Sequence, residues 1–580
     1  MNSRRSPAVI AAEAAQAKLE ACLVAGSNFR LEAGAGAGKT YSLVAALRNI
    51  IAEKGQALMH AGQHVACITY TEVARKEIAS EIEEHPAILV DTVHGFGWSF
   101  ISRFQKTLLE LIANTADEKR RKLIEDAGGI HSQRVEYDLG YFGIDETRIK
   151  LHHDDVPAFL AAMLANSKFQ RIFTSLYPIL FIDEYQDTDS RVMAALSEHF
   201  FAPKIGPITG LFGDHWQTIY RKDYELVKFP HVEGIDKGSN FRSVQAIVDV
   251  LNRLRPELKQ EVDDPDAIGE ARFFHCNAFA GARVDSRNGK QELPEAALSQ
   301  AIEQVEQILR ADGWGFRPED TKILMLTHNA IAAERGYPTL ASIYDQKDDL
   351  VKKQDVAIAF LIDKVEPICE AYAAGNHGLM FALMGGIPTI RKMADKASWR
   401  EDMDRLMKLR ANGSVGQIID HLKVTKRPRL PDRVASREED IGRLGPEVTE
   451  GEPNSLTRHR RLREVAFGEI LALAEFINGF TPFATQHSVK GAEFADVLVI
   501  LSGGWNHYNW PKFLELFATG KIGAKEEGSY CRARNLFYVA ISRPKKRLAV
   551  LATQALNEPA MATVEKLFGV DHVVAVQFDS

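Results

Sequence analysis

The chain has 580 residues, of which 45% are hydrophobic and 26% are charged, and its formal net charge is −7. This length exceeds what one hydrophobic core organises, so we expect several domains, and the negative charge excludes a generally basic nucleic-acid coat while leaving room for a local basic groove. No apolar run reaches the ~18 residues of a membrane span and no signal peptide is evident, so we expect a cytosolic protein with no membrane segment.

The first informative stretch is RLEAGAGAGKTYSLV, residues 30–44. NFRLEA before it is extended in character, and the apolar residues after it recur at helical spacing, which predicts a strand, a glycine-rich turn and a helix. Phosphate groups bind in this order of elements, because the turn offers backbone N–H groups and the helix offers its N-terminus. Lys39 would reach the β- and γ-phosphates of a nucleotide and Thr40 would bind Mg²⁺.

One position of this loop departs from the usual pattern G-x-x-x-x-G-K-[ST]. Ala33 stands where the first glycine is expected. Alanine still permits a close approach of the backbone to a ligand, so we predict a phosphate-binding loop, with a flexible turn that binds nothing as the alternative. The predicted loop consists of Ala33, Gly34, Ala35, Gly36, Ala37, Gly38, Lys39 and Thr40.

A second stretch, YPILFIDEYQDTD, supplies two adjacent carboxylates at the end of an apolar run. A buried strand that ends in Asp183 and Glu184 suits a nucleotide hydrolase: Asp183 would belong to the coordination sphere of the metal, and Glu184 would orient and deprotonate the attacking water. Acidic strand ends are common, so this stretch indicates a hydrolase only in combination with the loop.

At DEYQD the sequence resembles the superfamily 1 DNA helicases of the UvrD, Rep and RecB type, and other motifs of this family follow in the expected order. The resemblance implies ATP and Mg²⁺ as cofactors. It assigns Gln16 to the adenine edge, with a surface glutamine as the alternative, and it places Tyr41 beside the nucleotide. GLFGDHWQTIYR would supply Gln217 as the sensor of the γ-phosphate, and NFRS would supply Phe241 to stack on the base and Arg242 to contact the γ-phosphate.

The motifs nearest the C-terminus complete this resemblance. TQHSVKGAEF (485–494) matches a motif in which His487 and Lys490 would face DNA and Glu493 would lie on the ribose side. NLFYVAISRPKKR (535–547) would supply Arg543 as a second arginine finger, with Tyr538 in the family position. Charge on a loose γ-phosphoryl transition state needs neutralisation from several sides, which agrees with two arginines from distant parts of the chain.

Two earlier motifs would bind single-stranded DNA. In ITYTEVARKEI (68–78) the resemblance assigns backbone-phosphate contacts to Thr69 and Thr71 and base stacking to Tyr70. In VDTVHGFGWSF (90–100) the matching residues are Thr92, His94 and Phe96. Core packing is the alternative for the rings of Tyr70 and Phe96. The segment RKDYELVKF after the γ-phosphate sensor lacks the family's aromatic and R-G-A continuation, so the departures from the family lie on the DNA side.

The resemblance implies an α/β fold of two RecA-like P-loop lobes, 1A and 2A, with largely helical insertions, 1B and 2B. We assign lobe 1A to residues 1–100 and 165–240, insertion 1B to 101–164, lobe 2A to 241–339 and 471–580, and insertion 2B to 340–470. In lobe 2A, strands are predicted at 271–276, 322–329, 496–501 and 547–553. In insertion 2B we expect a helix over 355–375 that ends at Gly375, then a polar loop over 423–455. The basic runs 423–433 and 458–463 are interpreted as contacts to DNA or a partner, or as a solvated charged face.

Three functions agree with these features. The first is an ATP-dependent DNA helicase or translocase that tracks single-stranded DNA, 3′ to 5′ by the habit of the family. The second is a regulatory NTPase subunit that senses DNA ends and assists a separate nuclease, because compact UvrD-like proteins occur as the helicase partner of a nuclease in Gabija-type anti-phage systems. The third is a DNA repair helicase that acts alone.

The five cysteines are widely spaced and form no C-x-x-C pair. This spacing argues against a structural zinc site, an iron–sulfur cluster and a disulfide framework. We expect reduced thiols, most of them buried.

Overall fold

The computed structural model describes most of the chain. The described residues are 5–115, 117–137, 142–219, 229–286, 289–325, 331–332, 335–344, 348–351, 353–386, 392–445, 448, 452–479, 483–485, 489–503 and 508–578.

The β-strands of the described residues are β1 (Asn28–Ala33), β2 (Val65–Thr69), β3 (Ile88–Thr92), β4 (Arg134–Tyr137), β5 (Gly143–Ile144), β6 (Arg148–Leu151), β7 (Ile179–Asp183), β8 (Ile208–Gly213), β9 (Val232–Lys237), β10 (Ser239–Asn240), β11 (Glu261–Val262), β12 (Glu270–His275), β13 (Val284–Ser286), β14 (Gly289–Glu292), β15 (Thr321–Met325), β16 (Phe483–Thr485), β17 (Phe494–Leu501), β18 (Pro544–Ala552) and β19 (Val573–Ala575).

The α-helices of the described residues are α1 (Pro7–Ala25), α2 (Lys39–His60), α3 (Glu72–Glu81), α4 (Val93–Ile101), α5 (Gln105–Ala113), α6 (Glu118–Asp126), α7 (Asp155–Leu164), α8 (Ser167–Leu176), α9 (Ser190–Leu196), α10 (Gln245–Leu254), α11 (Glu295–Ala311), α12 (Pro338–Ile343), α13 (Asp348–Val351), α14 (Val356–Phe360), α15 (Glu366–Ala373), α16 (His377–Met384), α17 (Met393–Asn412), α18 (Val415–Thr425), α19 (Asp432–Leu444), α20 (Asn454–Glu464), α21 (Phe467–Ile477), α22 (Trp510–Thr519), α23 (Ala524–Ile541) and α24 (Glu558–Phe568).

The chain divides into two units, and the first comprises Met1–Ala271, Lys512–Leu548 and Glu558–His572. Its main sheet has the strand order β3-β2-β7-β8-β1-β9, with every pair parallel. Apolar residues cover both faces, as a parallel sheet requires. Ile179 and Phe181 of β7 pack into the core on one face, and Leu180 and Ile182 pack into the core on the other.

The topology of this sheet brings three predicted motifs to one edge. Strand β8 lies between β1, which leads into the glycine-rich loop, and β7, which ends at Asp183. Carboxyl ends of parallel strands meet at the same edge, so the segments that follow β1, β7 and β8 are neighbours. The first unit also holds a small sheet, β4-β6-β5, within the segment predicted as insertion 1B.

The second unit comprises Arg272–Pro511, Ala549–Asn557 and Val573–Ser580. The second large sheet has the order β16-β15-β17-β18-β12-β19, and its pairs β15–β16, β15–β17 and β12–β19 are parallel. Strands β12, β15, β17 and β18 fall on the four segments predicted as strands. The mixed α/β class with parallel sheets is therefore confirmed.

The helical segment between residues 338 and 477 has its own apolar core. The helix predicted over 355–375 is present as α14, a π-helical turn at Leu361–Val365, and α15, and the chain leaves it at Gly375 with φ of 67°. A positive φ is easy for glycine, which explains why the helix ends there.

The polar loop predicted over 423–455 is wrong in part, because residues 432–444 form α19. Pro431 stands at the N-cap of this helix, where proline is tolerated since no helical N–H is needed. The helix buries Val434 and Glu438, and Glu438 accepts hydrogen bonds from His459 and from Arg463, at 2.8 and 2.6 Å. The basic run 458–463 thus supplies side chains that pair within the unit.

Within the described residues, every helix is too short or too polar to cross a membrane. Four of the five cysteines are buried and Cys531 is half-buried. The prediction that most thiols are buried is confirmed.

Candidate active site

The glycine-rich loop joins β1 to α2. Its two left-handed residues are Gly36, with φ of 75°, and Gly38, with φ of 72° and the N-cap position of α2. Ala33 is instead the last residue of β1 and is 2% exposed. Glycine is needed where φ is positive or where the backbone approaches another group closely, so alanine at position 33 leaves the loop geometry intact.

Side chains at the end of β9 and beyond it hold the carbonyl groups of this loop. Lys237 Nζ donates to Gly38 O at 2.8 Å, Ser239 Oγ to Ala37 O at 3.0 Å, and Asn240 Nδ2 to Ala35 O at 3.2 Å. Gln260 Nε2 also donates to Ala35 O, at 3.0 Å. Because the carbonyl oxygens are fixed on one side, the loop has the pre-organised backbone of an anion site.

Lys39, the first residue of α2, reaches the two carboxylates at the end of β7. Its Nζ lies 3.1 Å from Asp183 Oδ1 and 2.6 Å from Glu184 Oε1. Burial lowers the pKa of Lys39, but the two carboxylates outweigh burial and raise it above the ordinary value, so this lysine is charged. Burial, the largest effect, and Glu184 raise the pKa of Asp183, while Lys39 opposes the rise.

The backbone of Glu184 is strained. Its φ is 51° and its ψ is 46°, a left-handed conformation that costs a residue other than glycine about 1–3 kcal/mol. Gln186 donates to Glu184 Oε2 and accepts from the backbone N–H of Asp214 at 3.1 Å. The surroundings thus fix the direction of the Glu184 carboxylate and link it to the segment after β8.

Gln217 lies in the 3₁₀ turn His215–Gln217 after β8. Its Nε2 donates to Asp214 Oδ2 at 2.8 Å, and its Oε1 accepts from Arg543 at 3.4 Å. The predicted γ-phosphate sensor and the predicted second arginine finger are therefore in contact.

Arg543 is 1% exposed, and its Nε donates to Val539 O at 2.8 Å. Arg242, which is half-buried, donates to Ser542 O at 3.0 Å. Burial is the main cause that lowers the pKa of Arg543, and the charge of Arg242 adds to it. Two neighbouring guanidinium groups in a poorly solvated place favour an anion between or beside them, as a γ-phosphate would be.

The residues predicted for the nucleoside occupy different settings. Tyr41 is 75% exposed and Phe241 is 44% exposed, which leaves ring surface for stacking. Gln16 Nε2 donates to Glu20 at 3.2 Å, and Gln16 Oε1 is buried with no hydrogen bond from the described residues. Glu493 is exposed in the second unit, just before β17, and its role on the ribose side stays a prediction.

The residues predicted for Mg²⁺ fit a hard cation. Thr40 supplies a hydroxyl in the first turn of α2 and Asp183 supplies a buried carboxylate, and oxygen ligands are those that Mg²⁺ prefers. Asp183 Oδ1 makes the ion pair with Lys39 but no well-aligned hydrogen bond with the described residues. A cation would satisfy this buried oxygen.

The residues of the first predicted DNA motif lie between β2 and α3. Tyr70 is 44% exposed, while Thr69 is buried and its Oγ1 donates to Thr71 O at 3.2 Å. Thr71 is exposed and caps α3, because its Oγ1 accepts from Ala74 N at 3.2 Å. Tyr70 and Thr71 are accessible to a strand of nucleic acid, and Thr69 instead fixes the turn.

The second DNA motif is less exposed. Thr92 caps α4 by accepting from Gly95 N at 3.1 Å. His94 stacks on His153 with ring centroids 3.4 Å apart, and burial, then His153, lowers the pKa of His94 to about 4. Phe96 is 1% exposed and packs against Phe173, so its ring occupies the core position weighed as the alternative to DNA contact. Of the third motif, Lys490 is half-buried in the second unit, and His487 lies outside the described residues.

Sequence reasoning missed several residues that hold the site. Lys237, Gln260 and Arg255 are buried polar residues that contact the loop or the segment after β8. Lys237 lies three positions before the motif NFRS, whereas Arg255 and Gln260 follow this motif by 12 and 17 positions and belong to no motif. Tyr538 was seen only as a family position, and its Oη accepts the N–H of Ala35 at 3.1 Å.

Comparison with known proteins agrees with this geometry. The family described as AAA domain matches residues 16–223. The resemblance to UvrD- and Rep-type helicases is confirmed, and the segment that matches the AAA domain lies in the first unit. Along nearly its whole length the chain is similar to Gabija protein GajB of Bacillus cereus (strain HuB5-5): the two are 22% identical over 673 aligned positions, which cover 92% of this chain and 94% of the relative.

Proposed function

We propose that the chain is an ATP-dependent, Mg²⁺-requiring DNA translocase or helicase of the UvrD type that tracks single-stranded DNA, 3′ to 5′. The observation that carries the proposal is the convergence of a pre-organised phosphate loop, two carboxylates, a glutamine sensor and two arginines within one unit. In this proposal residues 1–240 and 241–580 contain the two RecA-like lobes, interrupted by insertions at 101–164 and 340–470.

The described contacts suggest how these residues act on ATP. Lys39 exchanges its carboxylate partners for β- and γ-phosphate oxygens, and this exchange leaves Glu184 to orient and deprotonate the attacking water. Arg242 and Arg543 neutralise the charge that develops on the γ-phosphoryl group. Thr40 and Asp183 would hold Mg²⁺, which would supply further neutralisation of the phosphate oxygens.

The DNA side of the proposal depends mainly on exposed residues. Tyr70 stacks on a base and Thr71 contacts the backbone, so that binding is nearly independent of sequence. Lys490 also contacts DNA in this proposal, and Gln217 connects ATP hydrolysis to DNA binding. In this proposal the two RecA-like lobes close when ATP binds and open after hydrolysis, and this motion moves the bound DNA strand.

The test is the ATPase rate of the purified chain with single-stranded, duplex, forked and RNA ligands. We expect strong stimulation by single-stranded DNA and loss of the stimulated rate in Lys39→Ala and Glu184→Gln. Glu184→Gln should retain ATP binding, because the amide keeps the shape of the side chain and loses only its basicity. A Lys39→Ala or Glu184→Gln variant with the full stimulated rate would contradict the site assignment.

A second function is favoured by the similarity to Gabija protein GajB. The chain would be a regulatory NTPase subunit that senses DNA ends and assists a separate nuclease in phage defence, with little unwinding of its own. Strand-displacement assays with and without a co-purified partner distinguish the two functions. Robust unwinding by the chain alone would favour the motor, and ATPase activity without unwinding would favour the regulatory subunit.

A further inference from the structure

The end of α10 carries a buried arginine that the motifs do not include. Arg255 is 2% exposed and follows α10 directly as its C-cap. Its NH1 donates to Asp214 Oδ1 at 2.7 Å, and its NH2 donates to Glu32 Oε1 at 3.3 Å. A buried guanidinium with two buried carboxylate partners is a fixed joint, since breaking either pair would leave a buried charge uncompensated.

Each carboxylate partner stands next to a residue of the proposed ATP site. Glu32 immediately precedes Ala33 and the phosphate loop, and it also accepts from Tyr185 Oη at 2.8 Å, directly after Glu184. Asp214 accepts from Gln217 Nε2 at 2.8 Å through its other oxygen. Because Asp214 accepts from both side chains, Arg255 fixes the amide of Gln217, which contacts Arg543.

The same guanidinium contacts the helix that leads to Arg543. Its Cζ lies 5.1 Å from the ring centroid of Trp216 and 5.7 Å from that of Tyr538, the tyrosine whose Oη accepts the N–H of Ala35. Asn535, one turn before Tyr538, donates to Thr218 O at 3.0 Å. The turn after β8 is thus held between α10 and α23, with Arg255 at the point where they meet.

The charges around Arg255 agree with this role. Hydrogen bonds from His215, together with the charges of His215 and Arg255, outweigh burial and lower the pKa of Glu32 to about 2. Glu32, Asp214 and His215 are close enough to hold a metal ion, but the guanidinium of Arg255 already supplies a cation to both carboxylates.

We propose that Arg255 is a positioning residue that couples the γ-phosphate sensor Gln217 to the phosphate loop and to the arginine-bearing helix α23. This inference rests on the proposed ATPase function. The expected consequence is specific: loss of the joint lets Gln217 and Arg543 move relative to the phosphates while the loop still binds nucleotide. Misplacement by about 1 Å of groups that act in the transition state costs up to about 100-fold in rate.

The experiment compares Arg255→Lys and Arg255→Met with Arg253→Met in the full chain. Lysine keeps the charge but cannot bridge both carboxylates with a planar fork. Arg253 lies on the same helix and donates to Leu567 O at 2.9 Å, away from Glu32 and Asp214, so it controls for general loss of helix contacts. We would measure the thermal midpoint, the Kd of a fluorescent ATP analogue, and kcat with saturating single-stranded DNA.

We expect Arg255→Lys to lower kcat by about 10- to 100-fold while Kd changes less than about threefold, and Arg253→Met to change neither. Asp214→Asn should lower kcat similarly. The double variant Arg255→Lys/Asp214→Asn should be no slower than the worse single variant, because each substitution breaks the same contact between Arg255 and Asp214. A kcat of Arg255→Lys within twofold of wild type, or equal losses in Kd and kcat, would overturn the inference. If Arg255→Met fails to fold, the lysine variant and the double-variant comparison still decide. A wild-type chain without ATPase activity would instead refute the proposed function.

Discussion

Replacement of Gly36 by alanine is the most direct test of the phosphate loop. Gly36 has φ of 75°, and a left-handed backbone costs an alanine about 1–2 kcal/mol. A Cβ at this position would lie 2.7 Å from Arg242 Cβ and 2.9 Å from Asn240 Oδ1. Overpacking of this kind costs about 1–3 kcal/mol, so the two effects together amount to about 2–5 kcal/mol.

This cost should divide between the stability of the folded protein and its affinity for nucleotide. If the loop shifts to relieve the contacts, the entire cost appears as a weaker Kd, by roughly 30-fold to several thousand-fold. If the loop holds its position, the cost appears as a lower thermal midpoint. Calorimetry with ATP and a thermal unfolding scan of the same preparation measure both quantities.

Ala33→Gly is the matched control in the same loop segment. Ala33 ends β1 outside the left-handed region, so glycine should cost only about 0.5–1 kcal/mol of stability through backbone entropy and leave Kd within about twofold. The reasoning is refuted if Gly36→Ala retains both the wild-type Kd and the wild-type thermal midpoint, or if Ala33→Gly weakens nucleotide binding as strongly as Gly36→Ala.

Three further predictions follow from the site. Burial lowers the pKa of Lys237 to about 8, so the charged lysine destabilises the folded protein below about pH 8. The free energy of unfolding should therefore rise with pH between 8 and 10.5, where the unfolded chain binds more protons than the folded one. Unfolding scans of Lys237→Met should show a smaller rise. A bound anion favours the charged lysine, so the ATP affinity of the wild-type chain should fall between pH 7 and 9.5. Calorimetry should find a shallower fall in Lys237→Met. An equal fall in both would show that the charge of Lys237 does not stabilise bound ATP. Tyr70→Ala should weaken single-stranded DNA binding by about 5- to 100-fold in a fluorescence titration, without a change in Tm, because the ring of Tyr70 is exposed. Phe96→Ala should instead lower the free energy of unfolding by about 3–5 kcal/mol in a denaturant titration, because the ring of Phe96 is buried. The reverse pattern would contradict the assignment of Tyr70 to DNA and of Phe96 to the core. Removal of Mg²⁺ by EDTA should abolish ATP hydrolysis, and Asp183→Asn should raise the Mg²⁺ concentration needed for half-maximal rate; an unchanged Mg²⁺ requirement would exclude Asp183 as a ligand.

The sequence was most informative where one element carries both the pattern and the chemistry. The loop between β1 and α2, the strand that ends in Asp183 and the helix end at Gly375 were predictable because each depends on local periodicity and on a few neighbouring residues. Helix α19 was missed because the polar composition and the widely spaced prolines of this segment suggested a loop, whereas Pro431 lies at the start of the helix and does not interrupt it. Composition describes a segment, but the position of each proline decides its structure.

The residues that hold the site were not predictable from the sequence. Arg255 is 41 positions from Asp214 and 223 positions from Glu32, and no spacing rule connects them. Family motifs mark groups that meet a ligand, whereas the positions that fix those groups depend on which strands and helices become neighbours. The parallel order of β1, β8 and β7 creates this neighbourhood, and only the folded chain displays it.

The charges of the site suggest why ATP binding and catalysis would be coupled. Lys39 pairs with the same Glu184 carboxylate that would act as the base, while Arg543 is buried near another cation. An anion at the loop would give Lys39 a new partner and would also neutralise the charges of Arg242 and Arg543. The carboxylate would therefore become available as a base only when a phosphate is present to be attacked, so the ion pair between Lys39 and Glu184 would suppress hydrolytic chemistry until substrate binds.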